Sequence, residues 1–114
     1  MTEDQLELNE KREALFQRFT EVNPEISKAL LNLLDTVYSD GALSGKMKYL
    51  LALAIALGTG CRICTLAQLT KALEAGATRG EIMETLSVCV AMRGTTGTAE
   101  SLRVIEYLDQ KGIL

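Results

Sequence analysis

The chain contains no histidine and no tryptophan. Without histidine it lacks the side chain that most often serves as general base, as partner to a nucleophile and as metal ligand near neutral pH. Any chemistry must come from thiols, carboxylates, lysine, arginine or tyrosine. Aromatic residues make up only 4% of the sequence, which leaves no platform for stacking nucleic-acid bases. Positive charge is not in excess either. The net charge is −3 and the isoelectric point near 5.0, so nucleic acid is not an expected partner. The longest apolar run, Tyr49 to Leu57, is nine residues, short of the roughly 20 that a membrane span needs. The start, Thr2-Glu3-Asp4-Gln5, is acidic with no apolar leader behind it, so the expected location is cytoplasmic. Three cysteines, an odd number, argue against a structural disulfide framework.

What is present reads as helix. Of 114 residues, 47% are apolar and 24% charged, the composition of one globular domain spanning residues 1–114. Thr2 with Gln5 resembles a capping box before a helix over about 3–20, striped by Leu8, Leu15, Phe16 and Phe19. Asn23 and Pro24 open a second helix, whose face of Ile26, Leu30, Leu33, Leu34 and Val37 is widened by Leu31 and Tyr38. That width predicts burial on two sides, as at a subunit contact. Ser39-Asp40-Gly41 is a turn, and Ser44 caps a third helix to about Leu57 that is apolar all round in its second half. Lys46 and Lys48 read as its solvated start. Gly58 and Gly60 end it. A fourth helix runs over about 61–75, and Thr78 with Glu81 forms a capping box for a fifth over about 79–93. Gly94 to Gly97 should break or loosen the chain before a last helix over about 98–111. No segment alternates as a strand would. The expected fold is all-α, with about six helices.

The informative motif is Gly58-Thr59-Gly60-Cys61-Arg62-Ile63-Cys64. A Cys-x-x-Cys opening a helix sets two thiols within disulfide reach and puts the first in the positive end of the helix dipole, where a thiolate is favoured. Arg62 adds a charge between them, or points to solvent at i+1. Other readings of the pair are two small buried core residues, or part of a metal site. Zinc takes four ligands, and Cys61, Cys64 and Cys89 supply at most three, so no metal is expected unless two pairs meet across a subunit interface. Cys89 recurs with Ile82, Leu86 and Val90 on one helical face and is expected in the core.

The stretch from Leu50 to Glu106 resembles the carboxymuconolactone decarboxylase and alkylhydroperoxidase-D-like family. The resemblance lies in Leu53-Ala54-Ile55-Ala56-Leu57, Gly60-Cys61-Arg62-Ile63-Cys64, Lys71-Ala72-Leu73-Glu74-Ala75-Gly76-Ala77-Thr78 and Glu81-Ile82-Met83-Glu84-Thr85-Leu86. It implies a small helical protomer assembled into homotrimers or homohexamers. It also implies that Cys61 and Cys64 are catalytic, cycling between dithiol and disulfide. In the family's redox branch a Glu twelve residues before the first Cys and a His four after the second relay protons. Tyr49 and Gln68 stand at those positions. Tyrosine stays protonated near neutrality, with an ordinary pKa of roughly 10, and glutamine does not titrate. The decarboxylase branch relies on a histidine that this chain lacks. The expectation is a cofactor-free thiol–disulfide oxidoreductase with an antioxidant role, acting on a protein or small-molecule disulfide or peroxide and reset by an external reductant. Two alternatives stay open: a non-enzymatic helical scaffold with a degenerate site, and a peroxidase working without the usual relay.

Overall fold

The computed structural model describes residues 3–114 and consists of six helices in chain order: α1 Gln5–Val22, α2 Pro24–Tyr38, α3 Gly45–Thr59, α4 Arg62–Glu74, α5 Arg79–Arg93 and α6 Thr95–Gln110. No strand occurs among the described residues. The core lies where α3, α4, α5 and α6 meet. Leu53 and Leu57 of α3, Leu66 and Leu69 of α4, Ile82 of α5 and Leu108 of α6 are fully buried there. These residues recur at three- and four-residue spacings, so each helix brings one apolar face to the same interior.

The sequence signals account for most of the boundaries. Ser44 caps α3 by accepting the Met47 N–H, and Thr78 and Glu81 form the full reciprocal capping box at α5. At α1, Thr2 lies outside the described residues, and the observed cap is Asp4, whose carboxylate accepts the Glu7 N–H at 3.0 Å. Asn23 precedes Pro24 at the start of α2 but makes no side-chain cap bond. The two lysines are not merely solvated. Lys46 pairs with Glu81 at 2.9 Å, and Lys48 donates to the carbonyls of Val37 and Ser39 at the end of α2. A cation there satisfies acceptors that the helix leaves open and complements the dipole.

Three expectations change. The residues that α1 buries are Gln5 and Asn9, whereas Leu15, Phe16 and Phe19 remain exposed. Burial of these polar groups is tolerable because both are bonded: Gln5 Oε1 accepts from Arg103 at 2.7 Å and Asn9 Oδ1 from Arg12 at 2.9 Å. On α3, Leu51 and Ile55 face outward, so this helix is central but not enclosed. Gly94 to Gly97 does not break the chain beyond Gly94, because α6 starts at Thr95 and carries Gly97 buried inside it. A Cβ on Gly97 would sit 2.6 Å from the Cys89 carbonyl oxygen. The glycine is there for close approach of α6 to α5, not for flexibility.

Two glycine substitutions should therefore move stability in opposite directions. Gly97→Ala has to displace backbone and should cost about 1–3 kcal/mol, the usual range for overpacking. Gly58→Ala meets nothing within 4 Å in the last turn of α3 and should gain up to about 1 kcal/mol from lost unfolded-state freedom. Chemical denaturation of both variants checks this, and a loss at Gly58 comparable to that at Gly97 would contradict it.

Candidate functional site

The junction between α3 and α4 is built with no spare residue. Gly60 adopts φ 72°, the left-handed conformation that ends a helix and that glycine enters without a Cβ clash. The Cys61 N–H then bonds Ala56 O at 3.0 Å and the Gly60 N–H bonds Leu57 O at 3.2 Å, the paired bonds of a Schellman motif. Arg93 reaches across from α5 and donates to the carbonyls of Leu57 and Gly58, at 3.2 and 2.6 Å. The end of α3 is thus fixed from inside by the motif and from outside by a guanidinium.

Cys61 completes that motif and at once becomes the N-cap of α4. Its Sγ accepts the Cys64 N–H at 3.3 Å, within reach for a sulfur acceptor. Cys61 and Cys64 are joined as a disulfide with a Cα–Cα separation of 5.2 Å, inside the range such bonds span. In the reduced state the same amide and the helix N-terminus favour a thiolate on Cys61. Cys61 is half-buried and Cys64 is exposed. Cys89 is buried in the core and unpaired, where its helical spacing places it.

Arg62 does not serve the thiols as a free charge. It pairs with Glu3, whose other carboxylate oxygen accepts from Arg103 at 2.8 Å. The Arg103 hydrogen bond, with smaller help from the Arg62 charge, holds the Glu3 carboxyl below the usual carboxylate range despite the opposing effect of desolvation. The consequence is structural: the start of the chain is tied to the first turn of α4 and to α6.

Cys64 opens onto a pocket of about 270 Å³. Its walls are Ala52, Ile55 and Ala56 of α3, Gln68 one turn beyond Cys64 on α4, and Tyr38 at the end of α2. Gln68 thus shares the site with Cys64. Tyr49 does not line it. Tyr49 stacks on Tyr38 with ring centroids 4.2 Å apart and planes 6° from parallel, and so backs the wall instead. Tyr38 is the pocket residue that the motif-based reading missed. Its signal was present, an apolar face on α2 that Leu31 and Tyr38 widen, but only the fold shows what Tyr38 faces. Burial, and then the neighbouring Tyr49, push the Tyr38 phenol above its ordinary pKa, so it stays protonated near neutrality. Among the described residues, no three or more His, Cys, Asp or Glu side chains gather where they could hold a metal ion.

The thiols should separate by accessibility. After reduction, native alkylation should label Cys61 and Cys64, and Cys89 only after denaturation. Mild oxidation should remove two hydrogens from the peptide that holds Cys61 and Cys64. Peptide mass spectrometry reads both, and a crosslink involving Cys89 would contradict the arrangement.

Comparison with known proteins agrees with this geometry. The sequence profile of the carboxymuconolactone decarboxylase family matches residues 24–107. An uncharacterised protein of Cupriavidus necator is 30% identical over 102 residues, covering 81% of this chain and 90% of that protein. A Paracoccus denitrificans protein described as uncharacterised protein 4 in the cox locus is 32% identical over 100 residues, with 88% and 90% covered. Among solved structures, an apo carboxymuconolactone decarboxylase family protein from Legionella pneumophila superposes with a TM-score of 0.85 at 25% identity, covering 93% of this chain and 95% of its own. With its six-helix layout and a Cys-x-x-Cys at the head of α4, this chain belongs to the carboxymuconolactone decarboxylase family.

Proposed function

We propose that the protein is a cofactor-free thiol–disulfide oxidoreductase whose reacting groups are Cys61 and Cys64. The observation that carries this reading is the pair itself, bonded across the first turn of α4 with Cys64 open to a pocket. The division of labour follows from position. The Cys64 thiolate, the one that substrate can reach, attacks a substrate disulfide and expels one thiolate, leaving a mixed disulfide on Cys64. The Cys61 thiolate, favoured by the helix N-terminus, attacks the Cys64 sulfur and expels the second. The protein dithiol loses two electrons and two protons, and the substrate leaves as two thiols. An external dithiol reverses the change on the protein by the same exchange.

The relay positions decide how fast this runs. Gln68 lies beside Cys64 but cannot take its proton, and Tyr49 is stacked away behind Tyr38. Cys64 therefore ionises without an adjacent base, and peroxide reduction, which depends on thiolate attack, has no built-in assistance. The rate of substrate reduction should climb with pH, because the thiolate is the attacking species. Gln68→His should bring the rise down towards about 6.5, because the imidazole accepts the proton and pairs with the thiolate. Stopped-flow reduction of a model disulfide across pH checks both profiles, with Cys64→Ser and Cys61→Ser as controls that lose turnover. A reduced pair that reacts no faster than a free thiol at every pH would favour the scaffold alternative.

The assembly is a homotrimer or a pair of trimers in this proposal, supported by the uncovered face of α2. Ile26 and Leu33 are each 58% exposed, and Leu30, Leu31 and Val37 lie open beside them. The radius of gyration is 14.4 Å, above the value of about 13 Å expected for a compact chain of this length. An apolar arm held away from the core is what a subunit contact uses. Sedimentation at micromolar concentration should show three or six copies, and a 12.4 kDa species alone would refute it.

A further inference from the structure

We infer that a second groove, between α1 and the head of α4, binds a free alkyl carboxylate, with Lys11 and Arg12 meeting the carboxylate and an apolar wall holding the chain. The inference does not depend on whether Cys61 and Cys64 exchange disulfides. It starts from a face of α1 that the core leaves unused. Leu8, Leu15 and Phe16 fall on one stripe of that helix, yet Leu15 and Phe16 are exposed. Ile63, in the first turn of α4, lines the same groove, whose volume is about 430 Å³. Small-molecule sites run from roughly 300 to 1,000 Å³.

The other lining side chains are all cations: Lys11, Arg12 and Arg62. No carboxylate lines the groove, although the whole chain carries a net charge of −3. Two of the three cations are partly engaged. Arg12 donates through Nε to Asn9 at 2.9 Å and reaches Glu13 only at 3.5 Å, and one terminal nitrogen of Arg62 pairs with Glu3. A guanidinium offers several N–H groups, so both arginines keep donors to spare. Lys11 has no ion-pair partner among the described residues. The Arg12 side chain is 20% exposed, so its charge acts from a position partly withdrawn from water, where it attracts an anion more strongly than at a free surface.

Charge decides between the possible occupants. A neutral apolar surface of a second copy would suit the wall but would desolvate the cations without pairing them. An acid at the end of an alkyl chain satisfies both. The face assigned above to assembly lies on α2, and no α2 residue lines this groove. A flat anionic bilayer fits poorly, because α1 also carries Glu7, Glu10, Glu13 and Glu21. The groove shares no lining residue with the pocket at Cys64, which presents no charged side chain. Arg62 and Ile63 are nevertheless the two residues between the cysteines, so the occupant lies against the turn that carries the disulfide.

Calorimetric titration of full-length protein tests this with octanoate, octanol and octyltrimethylammonium, each below its aggregation concentration, and butanoate as a short-chain control. Octanoate should bind at least about tenfold more tightly than octanol, the ratio that one charge-assisted hydrogen bond gives. Butanoate should bind more weakly than octanoate, and the cation should not saturate. Amide shifts in nuclear magnetic resonance spectra should gather on residues 8–16 and on Arg62 and Ile63. Lys11→Gln should bring octanoate towards octanol, and Phe16→Asn should weaken both. Both positions are exposed, so an unchanged melting temperature should show that the variants are folded.

Equal affinity for octanoate and octanol would overturn the inference, as would shifts centred on Cys64 and Gln68. Failure of octanoate to saturate at millimolar concentration would overturn it too. In that case a smaller assembly for Phe16→Asn would identify the groove as a subunit contact, and retention of the wild-type protein on phosphatidylglycerol vesicles would identify it as a membrane surface.

Discussion

One chain reversal sets the terms for everything at the site. Between Thr59 at the end of α3 and Arg62 at the start of α4 there are two residues, Gly60 and Cys61. Gly60 can make the turn because it enters positive φ, and Cys61 serves both the end of one helix and the start of the next. A connection this short leaves the first cysteine no latitude. Its sulfur is placed by two helices that are themselves packed through Leu53, Leu57, Leu66 and Leu69. Arg93 extends the constraint to α5, because its guanidinium occupies the open carbonyls where α3 stops. The cysteine pair is therefore mounted on the core, not on a loop.

The legibility of the sequence follows the same line between local and non-local causes. Capping at Ser44 and at Thr78 with Glu81 was readable, because a cap is a contact between residues three apart. So was Cys89 in the core, since its neighbours recur at helical spacing. Gly97 read wrongly. A glycine in a loop and a glycine beneath a crossing helix look alike until the Cys89 carbonyl is placed against it. Gln5 was equally opaque, because the arginine that makes its burial tolerable comes from α6, at Arg103. At the site, Cys61, Cys64 and Gln68 could be named from spacing and resemblance. Tyr38 could not, since its place depends on where the end of α2 lands relative to α3.

That landing is fixed by polar contacts rather than by an apolar core. Among the residues of α2 only Ser27 is buried, bonded to Thr20 of α1 at 2.6 Å. At the other end Lys48 ties the carbonyls of Val37 and Ser39 to α3, and the Asp40 carboxylate accepts the Gly45 N–H at 2.7 Å. Stacking of Tyr38 on Tyr49 completes the seat. Tyr49 thus holds a structural post at a position where the family's redox branch places a proton-relaying Glu. A carboxylate there would lose the stacking and would sit behind Tyr38 instead of against the thiols.

The two ends of α2 then belong to different tasks carried by one rigid element. Its apolar face, from Ile26 to Val37, is open along its length, whereas its last residue closes the pocket over Cys64. A helix held to its own protomer mainly at its ends is free to bury the middle of that face against another copy. Because the helix is continuous from Pro24 to Tyr38, the element that offers this open face also supplies a wall of the pocket. Cys61 and Cys64, by contrast, are fixed through α3 and α4. On the assembly proposed above, a contact along α2 bears on the pocket wall at Tyr38, whereas the Cys61–Cys64 disulfide is held apart from it by α3 and α4.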